Sequence, residues 1–81
     1  MMQDVFERMQ SIISEQFGVD AESITENTSF EEDLGADSVD LVELVMAMED
    51  EFKIGEVGED ELASLSTVGD CVSFLTRRLE A

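Results

Sequence analysis

Leu41, Leu44, Val45, Met48 and Phe52 recur at intervals of three and four residues, which predicts one apolar face on a helix from Ser38 to Phe52. The same spacing appears twice more. At about 100° per residue, Val5, Phe6, Met9, Ile12, Ile13 and Phe17 share one sector of a first helix, opposite Asp4, Glu7, Arg8, Ser11 and Glu15. Gly18 follows and can take the left-handed conformation that ends it. Val68, Cys71, Val72, Leu75 and Leu79 mark the core face of a last helix. Its start carries Thr67 and Asp70 at capping-box spacing, and Arg77 and Arg78 suit the dipole of its final turn. Three such faces on 81 residues without a proline can be buried only against one another. The expected fold is therefore all-α, a small four-helix bundle with three longer helices and one short third helix, in a single domain spanning residues 1–81.

The connections are less regular. Residues 18–37 hold no sustained period, only Val19, Ile24, Phe30 and Leu34 as isolated apolar points, so an ordered segment pinned to the core at intervals is expected. Its length points to function or to a crossover between helices running in the same direction. The stretch KIGEVGEDELASLS is broken by Gly55 and Gly58 and offers one short helical turn, from Glu59 to Ala63.

Charge narrows the class of partner. Four basic residues, Arg8, Lys53, Arg77 and Arg78, face 21 acidic ones, for a net charge of -17. Solubility asks for a magnitude of only about 2 to 8. The surplus strains the compact state and speeds encounter with basic partners, while a nucleic acid is excluded as a like-charged polyanion. Cys71 stands alone, so it forms no intramolecular disulfide and reads as a small buried hydrophobe. The opening MMQDVFERMQ lacks the basic flank and apolar run of a signal peptide, and no run approaches the roughly 18 apolar residues of a membrane span. A cytoplasmic monomer that does not engage membranes is expected.

Ser38 is the residue that asks for an explanation. A nucleophilic serine needs a base, yet the chain has no histidine and its one lysine, Lys53, lies at the far end of the same helix, about 22 Å away at roughly 1.5 Å per residue. Asp37 and Asp40 are weak bases at a reference value of about 3.9. No catalytic residue is assigned. A calcium loop fails on spacing: with Gly35 at its sixth position, Phe30 and Leu41 fall where oxygen ligands belong, and no metal site is expected. From local physics alone Ser38 is either the N-terminal cap of its helix or a serine that is acted upon, since a helix start stabilises an attached phosphate.

The stretch DLGADSVDLVELVMAMEDEF, Asp33 to Phe52, closely resembles the central motif of acyl carrier proteins. The likeness continues in VFERMQSIISEQFGVDAESITENTSF before it and STVGDCVSFL after it, covering nearly the whole chain. It implies a bundle of the acyl-carrier type and a free-standing phosphoprotein that is not an enzyme. Ser38 would receive a 4'-phosphopantetheine arm from coenzyme A and hold acyl groups on it as thioesters in fatty acid biosynthesis. A polyketide or other specialised acyl pathway is the alternative, and an unmodified acidic adaptor a more distant one. Asp37 and Asp40 match the acids beside the serine, while Glu43, Met46, Glu49 and Asp50 match the recognition face of the second helix. With Val39 they would meet a phosphopantetheinyl transferase and acyl-processing enzymes through basic docking patches. The acids Glu49 to Glu51, crowded against the helix dipole, fit a surface kept for partners. The helices packed around Leu44, Val45, Met48, Phe74 and Leu75 are expected to part slightly to shelter a growing acyl chain. Two departures stand out. Val39 replaces the family's leucine, and KIGEVGEDELASL lacks the proline of the family's third-helix run and is one residue longer, its glycines predicting mobility.

Overall fold

The computed structural model describes residues 5–80; Asp4, assigned above to the polar side of the first helix, lies outside them. Among the described residues four α-helices are formed, α1 Val5–Phe17, α2 Ser38–Phe52, α3 Glu59–Ala63 and α4 Val68–Glu80, with a 3-10 turn at Ala21–Ser23. Helix α1 ends as its sequence requires. Gly18 takes a φ of 68°, and its N–H donates to the Ser14 carbonyl at 2.9 Å.

Met9 and Ile13 from α1, Leu44, Val45, Met48 and Phe52 from α2, and Val68, Cys71, Phe74 and Leu75 from α4 form one buried core. Removing Leu44 beyond its Cβ should cost about 2 to 5 kcal/mol, because it is enclosed on every side. Leu79 departs from the expectation: it lies on the correct face of α4 but is 47% exposed, one turn beyond Leu75, the last buried layer. Burial pushes the Cys71 thiol up to about 12, helped by the Asp70 charge, so it stays a neutral packing group.

The long segment between α1 and α2 is not a crossover. Gln16 Nε2 donates to the Asp40 carbonyl at 2.8 Å, and Arg8 Nη2 reaches Glu51 Oε2 at 2.8 Å, so α1 and α2 run antiparallel and the segment leaves and returns at one end of the bundle. There it closes over the start of α4. The Val68 and Gly69 N–H groups donate to the carbonyls of Thr28 and Glu26 at 3.0 and 2.8 Å, and Phe30 N–H donates to Ser66 at 3.1 Å. Helix donors that would otherwise lack partners are thereby satisfied by the segment's own backbone. Ile24 and Phe30 anchor it in the core at 2% and 1% exposure, as the isolated apolar points predict.

The opposite end is fastened by arginines. Arg8 also donates to the Glu51 carbonyl at 3.1 Å and lies 4.3 Å over the Phe52 ring, closing the end of α2, where Lys53 adopts a left-handed φ of 54°. Arg78 holds Ile54 and Glu61 from α4. With Lys53 after α2 and Arg77 in the last turn of α4, all four basic residues sit in the half of the bundle away from Ser38.

Candidate functional site

Asp37, not Ser38, is the N-cap of α2. Asp40 N–H donates to Asp37 Oδ1 at 2.9 Å, and Asp37 N–H donates in return to Asp40 Oδ2 at 3.1 Å, a complete capping box. The capping reading of Ser38 is thus corrected: the residue before it already does that work. Ser38 becomes the first helical residue, exposed, with its hydroxyl in no hydrogen bond among the described residues. It stands where the free N–H groups and the helix dipole favour negative charge, in the half of the molecule away from the four basic side chains.

Beside it opens a cleft of about 510 Å³, bounded by the Ser38 to Val42 side of α2, by Phe30 and Leu65, and by Leu62 and Ala63 of α3. The floor and walls are mostly apolar, while Glu31, Glu32 and Glu59 lie at its edge. It does not coincide with the core expected to part around an acyl chain, which is closed in this structure. Leu44, Val45, Met48, Phe74 and Leu75 are all packed shut, at 6% exposure or less, and the open space lies nearer the surface against α3.

Away from the core, α2 presents Val39, Glu43, Met46 and Asp50 to solvent, with Val39 63% and Met46 60% exposed. Val42, 44% exposed, lies between this stripe and the cleft and was missed in the sequence because its position falls on neither pattern. Glu49 does not belong to the exposed face. It is half-buried and its Oε2 accepts from Val57 N–H at 2.7 Å, fastening the segment that leads to α3. The three acids at the end of α2 are accordingly less uncompensated than they look: Val57 satisfies Glu49 and Arg8 pairs with Glu51, leaving Asp50 as the solvated one among the described residues.

Two further carboxylates act inside the structure. Asp70 accepts from Ser66 and Thr67 N–H at 2.9 and 3.0 Å, which holds its pKa below the usual carboxylate value and confirms the capping box read from the sequence. Glu61 is lowered by the Gly58 N–H and then by Arg78. Among the described residues no cluster of His, Cys, Asp and Glu is arranged to hold a metal ion, and no helix is long and apolar enough to cross a membrane.

Residues 7–75 match the family described as phosphopantetheine attachment site. The chain is 51% identical over 80 residues to an acyl carrier protein of Phenylobacterium zucineum, covering 99% of this chain and 100% of that one. It is 50% identical over 76 residues to the acyl carrier protein AcpP of Rhizobium meliloti, covering 94% and 96%. A solved acyl carrier protein from Enterococcus faecalis superposes with a TM-score of 0.77 at 31% identity, over 91% of this chain and 92% of the other.

Proposed function

The chain belongs to the acyl carrier protein family, a carrier with a phosphopantetheine attachment site and not an enzyme, and on that premise we propose that Ser38 is the residue that receives the arm. The observation that carries the reading is the position of Ser38: exposed, first in α2, and on the rim of an apolar cleft. An exposed hydroxyl with no base of its own suits a group modified by another enzyme. In that modification the phosphoanhydride bond of coenzyme A breaks, adenosine 3',5'-bisphosphate leaves, a phosphodiester forms at Ser38 Oγ, and the serine proton passes to a base of the transferase. The first turn of α2 then stabilises the new anion through its N–H groups.

When attached, the arm supplies a terminal thiol that carries the acyl group as a thioester. The chain's own residues do the rest. Leu41, Val42, Leu62 and Leu65 offer apolar surface to a neutral acyl chain, while the stripe of Val39, Glu43, Met46 and Asp50 meets the enzymes that transfer and process it. Basic docking patches on those enzymes complement the charge of -17, and contact would be fast and sensitive to salt. Fatty acid biosynthesis in the cytoplasm is the pathway and place that this family membership supports.

The test is incubation with coenzyme A and a phosphopantetheinyl transferase, followed by mass spectrometry of the intact protein and of Ser38→Ala. The parent protein should gain the mass of the arm and the variant should not. A parent without that gain, or a variant that gains it, defeats the assignment of Ser38.

A further inference from the structure

Helix α3 is a weakly founded wall. It has five residues, none of them buried, and a helix of that length has no stability of its own in water. It follows a segment containing Gly55, at a φ of 83°, and Gly58. It also forms one side of the cleft beside Ser38, through Glu59, Leu62 and Ala63. Something outside α3 must therefore fix its place.

Arg78 meets that need from the last turn of α4. Its Nη2 donates to both carboxylate oxygens of Glu61, at 2.7 and 2.8 Å, and its Nη1 donates to the Ile54 carbonyl at 3.1 Å. The guanidinium also lies 4.8 Å over the Phe74 ring, which holds it in the orientation these bonds require. One side chain thus joins α4, α3 and the segment between α2 and α3. Glu61 in turn accepts from Gly58 N–H at 3.0 Å, so the pair also fixes the N-cap residue before α3. In a chain with four basic residues, the use of one here is costly for a surface otherwise given to acids.

We propose that Arg78 is the positioning residue of the cleft: its pairing with Glu61 and Ile54 sets how often α3 swings from α2, and hence how exposed a group held in the cleft becomes. The exposure of an acyl group rests on the carrier reading, but the motion of α3 does not. Because both partners are partly exposed, at 29% and 41%, the pair is open to screening, and salt loosens the wall.

Amide hydrogen exchange of the unmodified full chain reads the wall directly. Arg78→Gln and Glu61→Gln should each raise exchange at residues 59–63 by about tenfold while leaving α1 and α2 near parental rates, as expected for a local opening. The exchanged pair Arg78→Glu with Glu61→Arg should return those residues toward the parent. Parental exchange in both single variants overturns the proposal, and so does a uniform rise across all helices, which would mean a general loss of stability. A second measurement uses the acylated carrier. With a medium-length acyl group, hydroxylamine should cleave the thioester faster in Arg78→Gln than in the parent, whereas the acetyl thioester should show no difference. Equal acceleration of both thioesters would overturn the role in the cleft, and failure to load the arm at all would count against Ser38 while the exchange result stood.

Discussion

Asp37 and Asp40 bind each other's backbone across the first turn of α2, each accepting a hydrogen bond from the other's N–H. The two acids flanking Ser38 therefore serve the helix before they serve any partner. Replacing Asp37 by Ala should lower stability by about 1 kcal/mol, the usual loss for an N-cap, and let the first turn fray. Urea denaturation measures the first effect. Modification of Ser38 should slow more than this loss explains, since the hydroxyl would no longer be held at a fixed helix start; Asp37→Asn, which keeps the cap, should modify at a rate closer to the parent.

Asp70 gives stability a signature in pH. Its folded pKa lies below the ordinary value because Ser66 and Thr67 donate to the charged form, so its contribution is present above the unfolded pKa and is lost as pH falls through the folded one. The melting temperature of the parent should exceed that of Asp70→Asn by a constant margin at neutral pH. Below a pH of about 4 the margin should shrink toward zero. Lowering pH also relieves repulsion among 21 acids, so the parent alone is a poor guide and the difference between the two proteins is the quantity to follow.

Gly69 sits where α4 meets the carbonyl of Glu26. A Cβ there would lie 2.9 Å from that backbone oxygen, and the oxygen is fixed by its bond from the Gly69 N–H. Alanine normally favours a helix over glycine by about 1 kcal/mol. Overpacking against backbone costs about 1 to 3 kcal/mol, so Gly69→Ala should be destabilising on balance. Gly58→Ala is the control. Its added carbon would lie 3.6 Å from the flexible end of Glu61 at a φ of -74°, and its urea midpoint should stay near the parent's.

What could be read from the sequence was what repeats within a helix. The bounds of α2 and α3 followed from apolar spacing and from breaks, and the cap of α4 from two residues three apart. The same spacing, Asp37 to Asp40, identifies the cap of α2. The antiparallel run of α1 and α2, the closure of residues 26–30 over α4, and the hold of Arg78 on Glu61 depend on residues far apart in the chain. A local pattern holds no information about them. Leu79 shows the other limit: periodicity gives a residue's direction around a helix, not its depth along the bundle.

The exposed stripe on α2 separates function from stability more cleanly than the acids beside Ser38 do. Val39 and Met46 are exposed, so Val39→Ala and Met46→Ala should each leave the free energy of unfolding within about 0.5 kcal/mol. Transfer of the arm or of an acyl group by a partner enzyme should nevertheless slow, because the apolar contact is lost. Glu43→Lys should lower the association rate by about tenfold at low ionic strength, with the gap to the parent closing as salt is added. Glu49→Ala should behave differently. Its carboxylate holds Val57 N–H, so its loss should cost about 1 kcal/mol of stability with little change in association. Stopped-flow binding beside urea denaturation distinguishes the two kinds of residue, and a Glu49 variant that lost association without losing stability would return that residue to the recognition face.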